Sequence, residues 1–463
     1  DSVFSINTLI YAQIHGAKIK LISEYYSHNM DTKIQKSMKK RLFFPQLNIP
    51  GAFPHSPTIS SEETKLVAEL LEKDANEHHI FFNREKGFHN HLTHMLLADY
   101  SLGASTKRLK EVYEQEAEKQ QPKLPKHQDF EWTEHLGDED YYSDYLDFMI
   151  GEVGKLGRVG AVEKYAFDEQ HNMQSRLMGG AYHSFIHTGY GLEFGIDGMV
   201  AEGLAQMCVH SDRSKVYFPK EVKTSKSASY ETALDIAKST LQDKRFDDLV
   251  KFEDEGKYFV FLGKKPELVL EYVDRWPLSI DRDELMEKVR ELIILGVAVY
   301  AGPQRPNKEV VLDFFLMHAL TSSLFLPIFI QQINPKFGMR LLKGKLAVDL
   351  AYFISRGRPA LHLEQFSSTT EFVKSWSEII ELAVNHSNMH VPKVIRALKQ
   401  AERWDPEETL GRGVYRAIAS MTVENIIDYP GGEQDDWSRE GIGFDELWDK
   451  VPDRKKQTVA DLS

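Results

Sequence analysis

The stretch GGAYHSFIHTGYGLEF, residues 179–194, decides the fold class. Its two histidines, His183 and His187, are four residues apart, and residues at that spacing share one face of an α-helix. Small residues precede the first histidine, and apolar or aromatic residues surround both, which is typical of a helix buried on most of its surface. The stretch therefore predicts a core helix that directs two imidazoles to the same side.

Two other segments carry histidine pairs at helical spacing. His91 and His94 lie in NHLTHMLLADYSLGA, His386 and His390 lie in ELAVNHSNMHVPKVIRAL, and a fourth segment, VLDFFLMHALTSSLFLP, carries His318 alone. Imidazole is the commonest metal ligand in proteins and suits iron, zinc, copper and nickel. Burying so many rings without compensating bonds would be costly. The alternatives are a metal site in the core of a helical bundle and a set of structural histidines, each satisfied by its own hydrogen bonds.

Spacing alone does not say which histidines would bind a metal. Seven imidazoles exceed the needs of one ion, so one from each segment would bind it and the others would orient ligands or contact substrate. Lys393 follows His390 by three residues and shares its predicted helix face. It is either a surface lysine or a buried amine that has become neutral. A neutral amine can add carbon dioxide, and the resulting carbamate would give the metal an anionic oxygen.

Helical periodicity dominates the rest of the chain. Residues 60–74 begin with a capping-box pattern, and residues 105–119 begin with a serine N-cap. Alternating runs are scarce: KYFVFLG at 257–263 is the best strand candidate, and LVLEYV at 268–273 is ambiguous. We therefore predict an all-α fold, a large single helical domain spanning residues 1–463, with a minor short β element and several long loops.

Composition excludes several classes of function. The net charge of −13, from 57 basic and 70 acidic residues, argues against a nucleic-acid partner, and the short basic run at 36–41 is interpreted as a solvated face. The single cysteine, Cys208, excludes an internal disulfide and cysteine-built metal sites, and is interpreted as a core residue. The longest strongly apolar run, 292–302, is too short for a membrane helix, and the start of the chain lacks a signal-peptide pattern. These features predict no membrane partner and a cytoplasmic location, and leave the oligomeric state open.

Motif searches assign no further cofactor. The chain has no GxGxxG after a strand, no P-loop, no GxSxG and no HExxH, and none of its 18 histidines has glutamate three residues before it. No residue is therefore assigned to dinucleotide binding. Histidine is followed two residues later by aspartate or glutamate at His127, His210 and His362, a frequency close to chance. We do not assign these three to a metal.

The four histidine segments resemble the questin oxidase-like family, oxygenases of fungal aromatic polyketide pathways. The resemblance is carried by FHNHLTHMLLADYSLGAS, GGAYHSFIHTGYGLEFGIDG, FFLMHALTSSLFLP and NHSNMHVPKVIRALKQ, in this order within residues 88–400. The family pattern has Asn-His in the first segment, aromatic-His in the second, His before Thr or Ser and apolar residues in the third, and His-x-x-Lys in the fourth. The matching positions are Asn90 and His91, Tyr182 and His183, His318, and His390 with Lys393.

The resemblance implies an all-helical mononuclear non-haem iron oxygenase and chooses one histidine from each segment. The remaining histidines are placed around the metal or in the core, and two of them are assigned to catalysis because they would orient ligands or contact phenolic oxygens. The substrate-binding residues are not indicated. The implied iron ligands are His91, His183, His318, His390 and carboxylated Lys393. The residues assigned to catalysis are His94 and His187. His386 is placed around the metal or in the core, without a catalytic role.

The activity that the resemblance implies is Fe(II)-dependent cleavage of a carbon–carbon bond in the quinone ring of an anthraquinone, with molecular oxygen as co-substrate. Three alternatives stay open. One is an NADPH-dependent, metal-independent Baeyer–Villiger-type oxidase, since some family members use NADPH, although this chain shows no dinucleotide motif. Another is a metal-dependent hydrolase, with zinc as its metal, because lysine carbamates also occur in hydrolases. The third is an inert helical scaffold.

Overall fold

The computed structural model describes most of the chain, and its regular secondary structure is almost entirely helical, which confirms the predicted all-α class. The basic run at 36–41 and the start of the chain, on which two predictions rest, lie outside the described residues. The described residues are 42–219, 231–368, 374–406, 408–427 and 436–454.

The first half of the described chain contains seven α-helices and a small antiparallel sheet. Both predicted helix starts are confirmed, because Ser60 forms a capping box with Glu63 and the Ser105 side chain caps the third helix. The strands are β1 (Phe81–Asn83) and β2 (Phe88–His89). The helices are α1 (Ser61–Glu77), α2 (Leu92–Leu102), α3 (Thr106–Ala117), α4 (Tyr142–Ala166), α5 (Met173–Leu177), α6 (Gly179–Glu193) and α7 (Asp197–Val209).

The second half of the described chain is helical throughout, with loops between its elements. The helix that contains Lys393 has proline in its first turn, as predicted for Pro392. The helices are α8 (Ala233–Ser239), α9 (Lys257–Leu262), α10 (Leu268–Val273), α11 (Arg282–Ala301), α12 (Phe314–Ser323), α13 (Leu326–Gln332), α14 (Pro335–Ser355), α15 (Glu364–Ser368), α16 (Trp376–Asn385), α17 (Val391–Trp404), α18 (Val414–Asn425) and α19 (Asp445–Trp448).

The strand prediction at KYFVFLG is wrong, because this run forms helix α9. Lys257 and Phe261 are its buried residues, and their spacing of four belongs to a helix rather than to a strand. The ambiguous run LVLEYV is also helical and forms α10. Short apolar runs do not distinguish strand from helix, and here burial of one helix face decides the structure. The short β element exists, but it lies at β1 and β2.

Close helix packing surrounds the histidine segments. Helix α6 packs on α2, α7 and α12. Helix α17 packs on α2, α12 and α18. Two glycines permit the approach of α6 to α7: a Cβ on Gly203 would lie 2.3 Å from Oγ1 of Thr188, and one on Gly191 would lie 2.6 Å from the backbone nitrogen of Val200. The four segments predicted to carry the site therefore meet in one part of the core.

One segment of the described chain, Phe314–Gln332, is long and apolar enough to cross a membrane by length and composition. It is 83% buried inside the protein and contains His318. Such burial is that of a core helix pair in a globular protein. Cys208 is also buried, with 0% exposure, which confirms its interpretation as a core residue.

Candidate metal centre

Three of the predicted ligands lie in one cluster. His91, His183 and His318 each present a ring nitrogen, and these nitrogens all lie within 4.8 Å of one another. The ring of His390 lies beside them, with its centroid 5.0 Å from that of His91 and 5.3 Å from that of His318. All four side chains are buried. One histidine from each predicted segment therefore contributes to the same cluster.

Hydrogen bonds determine which nitrogen two of these rings present. Nδ1 of His183 donates to the carbonyl oxygen of Gly180, and Nδ1 of His318 donates to that of Phe314 at 2.7 Å. A neutral imidazole has a single N–H, so Nε2 of each ring carries a lone pair. Nε2 of His183 faces Nε2 of His91 at 2.7 Å. Nδ1–H bonded to a backbone carbonyl is the arrangement that orients metal-binding histidines in proteins.

Some nitrogens of the cluster have no hydrogen bond within the described part of the chain. They are both ring nitrogens of His390 and Nδ1 of His91, and all three atoms are buried. A buried polar atom without a partner costs about 1–3 kcal/mol. The described residues therefore leave part of the hydrogen-bonding capacity of these rings unused where the rings converge.

A strained turn places His183. Gly180, Ala181 and Tyr182 have φ angles of 55°, 53° and 67°, in the left-handed region. Glycine is required at the first position because a Cβ there would lie 2.5 Å from Cε1 of His89. At the other two positions the left-handed conformation costs about 1–2 kcal/mol per residue. Such strain persists only where surrounding contacts hold it, and it is concentrated at functional sites.

Lys393 is buried beside the histidine cluster, with 5% exposure, which excludes the surface-lysine interpretation. Burial lowers the pKa of His390 well below its usual value, and the charge of Lys393 lowers that pKa further. The same two causes, in the same order, lower the pKa of His91. The Lys393 side chain is therefore near enough to His390 and His91 for its charge to affect both rings.

His94 and His187 form a hydrogen-bonded row next to the cluster. Nε2 of His94 and Nδ1 of His187 are 3.1 Å apart, and Nε2 of His187 donates to Oε2 of Glu202 at 3.2 Å. The ring centroids of His94 and His91 are 6.0 Å apart. Burial raises the pKa of the Glu202 carboxyl, and the hydrogen bond from His187 opposes that rise. Sequence reasoning missed Glu202, although a single carboxylate in the apolar stretch of α7 is a signal of a buried partner.

Two more histidines adjoin the cluster and were also missed. The ring of His89 stacks on that of His183, with centroids 4.0 Å apart, and its Nε2 lies 2.8 Å from Nε2 of His210. His89 precedes His91 by two residues in the sequence. That spacing was the available signal. His210 belongs to a motif match that the sequence left unassigned, and its ring contacts that of His89.

The predicted pairing of His386 with His390 on one helix face is wrong. His386 is the C-cap of α16, and α17 begins only after His390. Nε2 of His386 donates to the carbonyl oxygen of Ile426 at 2.9 Å. The turn between the helices is closed by Asn388, whose Oδ1 accepts from the backbone of His390 at 3.0 Å. An asparagine side chain that bonds the backbone two residues later competes with helix formation.

Buried histidines make a pH dependence of stability predictable for the metal-free protein. Burial lowers the pKa of His79 and of His210 to about 4. An unfolded imidazole has a pKa of about 6.5, so the unfolded state binds more protons below that pH. The free energy of unfolding is expected to fall as pH decreases from about 6.5 to about 4, by about 3 kcal/mol for each of these groups. Urea titrations at several pH values measure this, and an unchanged free energy would contradict it.

A comparison with known proteins identifies the family. The model of the questin oxidase-like family matches residues 88–398. The chain belongs to the questin oxidase-like family. A Baeyer–Villiger oxidase of Pestalotiopsis microspora is 28% identical over 438 residues, covering 86% of this chain and 96% of the relative. A questin oxidase of Aspergillus terreus is 28% identical over 415 residues, covering 82% and 91%. The resemblance inferred from the four histidine segments is confirmed, and the chain is an oxidoreductase.

Proposed function

We propose that the protein is a non-haem Fe(II)-dependent oxygenase that cleaves the quinone ring of an anthraquinone in fungal aromatic polyketide biosynthesis. The activities named for the relatives, questin oxidase and Baeyer–Villiger oxidase, support the reaction class. The single observation that carries the iron dependence is the cluster of His91, His183 and His318, with ring nitrogens within 4.8 Å of one another. Its substrate is a small aromatic molecule, and molecular oxygen is the co-substrate.

The residues present fit an iron ion. Imidazole nitrogen is a suitable ligand for iron, and a cation would occupy the lone pairs that the described residues leave unpaired on His390 and His91. In the proposal, Fe(II) would be held by His91, His183, His318 and His390. When bound, iron supplies the redox chemistry with molecular oxygen that protein side chains lack.

Charge supports a carboxylated Lys393 in the proposal. The residues of the three-histidine cluster contribute no negative charge, so four neutral imidazoles would leave a buried dication uncompensated. A lysine ammonium in contact with a dication would add repulsion. Carboxylation of Nζ replaces a positive charge with a negative one and provides an anionic oxygen as the fifth ligand. The same site therefore gains both charge balance and a ligand.

The row His94, His187 and Glu202 handles a substrate proton in the proposal. Glu202 accepts the N–H of His187, so Nδ1 of His187 accepts from Nε2 of His94. A neutral His94 then has Nδ1 as its acceptor for a phenolic O–H. Removal of that proton makes the substrate ring electron-rich, and the imidazolium formed is stabilised through His187 by the carboxylate. General-base assistance of this kind contributes about 10²–10⁴-fold to rate.

We predict that Glu202→Gln lowers kcat by about 10²-fold while iron stoichiometry stays unchanged. The amide keeps the size of the side chain but removes the charge that stabilises the proton on the row. The matched control is Glu116→Gln, since Glu116 is equally buried but lies on α3 and pairs with Lys119. Steady-state kinetics and iron analysis of both variants measure this. Equal kcat values for the two variants would contradict the proton-handling role.

Isotopic oxygen separates the proposed oxygenase from its alternatives. Turnover of an anthraquinone under ¹⁸O₂ is expected to label the ring-cleaved product. Two labelled atoms without NADPH consumption correspond to dioxygenation, whereas one labelled atom with one NADPH consumed corresponds to monooxygenation. A product with no gas-derived oxygen would contradict the proposal and favour a hydrolase.

We propose that residues 1–463 form a single questin oxidase-like domain and that the protein is cytoplasmic. Its proposed partner is the small-molecule polyketide substrate, and we propose no nucleic-acid or membrane partner. NADPH stays outside the proposed cofactor set because the sequence lacks a dinucleotide motif. Limited proteolysis tests the single-domain proposal, since a stable fragment much shorter than the family match would contradict it.

A further inference from the structure

An ion pair on α14 is completely buried and takes no part in the proposed chemistry. Nζ of Lys345 lies 2.6 Å from both carboxylate oxygens of Asp349, and the two residues are 0% and 2% exposed. A buried ion pair is weak evidence for stability, because apolar residues of the same size often replace it at no cost. The structure around the pair indicates what else it does.

The carboxylate of the pair anchors the strained turn. The hydroxyl of Tyr182 donates to Oδ1 of Asp349 at 2.7 Å, and Nζ of Lys345 lies 4.7 Å from the centre of the Tyr182 ring. Tyr182 has a left-handed backbone and directly precedes His183. The ion pair therefore contacts the side chain that holds this turn in its unfavourable conformation.

The ammonium of the pair also contacts the third histidine segment. Nζ of Lys345 donates to the carbonyl oxygen of Ala319 at 3.3 Å, and Ala319 follows His318 on α12. The ion pair thus bonds to Tyr182, which precedes His183, and to Ala319, which follows His318. These bonds cross three separate elements: the turn of α6, helix α12 and helix α14.

We propose that Lys345, Asp349 and Tyr182 form a positioning triad that sets His183 and His318 at the separation needed to bind metal. The proposal rests on the metal role of these histidines under the proposed function. A metal site needs its ligands held to about 0.5 Å by surrounding residues, and the triad holds two of them through the backbone. The triad touches no substrate, so its residues are positioning residues and not catalytic ones.

The chain contains a matched control for this triad. At the other end of α17 from His390, the hydroxyl of Tyr415 donates to Oδ2 of Asp405 at 2.6 Å, and Arg290 pairs with that carboxylate at 3.2 Å. The chemistry is the same: a buried tyrosine bonded to an aspartate that is paired with a cation. Removing either tyrosine hydroxyl therefore has a similar local cost, but only Tyr182 adjoins a histidine of the cluster.

The experiment compares Tyr182→Phe with Tyr415→Phe in the full chain. Co(II) is the probe, with affinity measured by chelator competition and geometry by the visible absorption of the bound ion. Tyr182→Phe is expected to weaken Co(II) binding about 10- to 100-fold and to shift the absorption bands, as loss of a supporting partner does at metal sites. Tyr415→Phe is expected to leave affinity and spectrum unchanged. The double variant Lys345→Met, Asp349→Leu replaces the ion pair by apolar side chains. It is also expected to weaken Co(II) binding and to shift the absorption bands.

The outcomes separate this inference from the proposed function. Unchanged affinity and spectrum in Tyr182→Phe, with loss of binding in His318→Ala, would overturn the triad and leave the metal site standing. If the wild-type chain does not bind Co(II), the proposed function fails instead. The positioning role is then decided by ¹⁵N-histidine spectra of the metal-free protein. Shifted His183 and His318 signals in Tyr182→Phe alone support the triad, and unshifted signals overturn it.

Discussion

The variant His390→Ala is expected to bind no iron and to lose more than about 100-fold in turnover. Loss of a residue that only supports a ligand costs up to about 100-fold at metal sites, and loss of the ligand itself should cost more. His390 has both ring nitrogens buried without a hydrogen bond in the described structure, and its ring also packs against aromatic rings, including those of Phe314 and Trp437. Removing the ring takes away one proposed ligand and few polar contacts. Removal of two unpaired buried nitrogens offsets part of the packing that is lost with the ring. We therefore expect a modest change in the free energy of unfolding of the metal-free variant, while iron content and kcat fall to background.

His386→Ala is the matched control for this prediction. Both histidines are buried and lie four residues apart, but the ring of His386 bonds to the backbone of Ile426 and accepts from Asn388. Its loss is expected to lower the free energy of unfolding by about 1–3 kcal/mol, through an unsatisfied carbonyl and amide, and to leave iron content unchanged. Iron analysis and urea unfolding of both variants measure the contrast. Full iron content in His390→Ala would contradict its role as a ligand.

Lys393→Ala is expected to have the second large effect. If the carbamate is a ligand, the variant loses the one anionic donor of the site, and kcat/KM is expected to fall more than about 100-fold. Short carboxylates such as formate are expected to restore part of the activity, because they can supply an anionic oxygen in the space left by the side chain. Intact-mass measurement of the wild-type protein is expected to show carbon dioxide bound to Nζ, and that adduct is lost at acidic pH.

Lys399→Ala is the control for Lys393→Ala, since both lysines belong to α17. Lys399 lies beside the half-buried ring of Trp376. Its removal is expected to leave iron content and kcat/KM unchanged. Wild-type activity in Lys393→Ala, or the same loss in both variants, would contradict the ligand role of Lys393. Absence of formate rescue with full loss of activity would instead favour the lysine ammonium as the functional group.

Local sequence patterns predicted the parts of the site that depend on local geometry. His183 and His187 share a face because α6 is regular from His183 onward, and Lys393 lies one turn beyond His390 because α17 starts there. The pattern failed at His386, where the side chain of Asn388 bonds the backbone and ends the helix. It also failed at KYFVFLG, where burial of one face selects a helix over a strand.

The supporting residues could not be predicted, because they depend on contacts between segments distant in sequence. Glu202 reaches His187 from the neighbouring helix, and Asp349 reaches Tyr182 from a helix 167 residues later in the chain. Neither residue carries a motif of its own. The left-handed turn before His183 was equally invisible, since Ala181 and Tyr182 are residues that seldom adopt it. Side-chain type and spacing indicate candidate ligands, whereas the residues that orient them emerge only from the packed structure.

The most direct test of the central claim is the metal dependence of turnover. The chain is purified without oxygen, freed of metal by a chelator, and supplied with an anthraquinone in air, with Fe(II) or with NADPH and no metal. The metal-free protein is expected to form no product, and full turnover is expected once about one Fe(II) is bound per chain. Full turnover by the metal-free protein with NADPH would contradict this expectation.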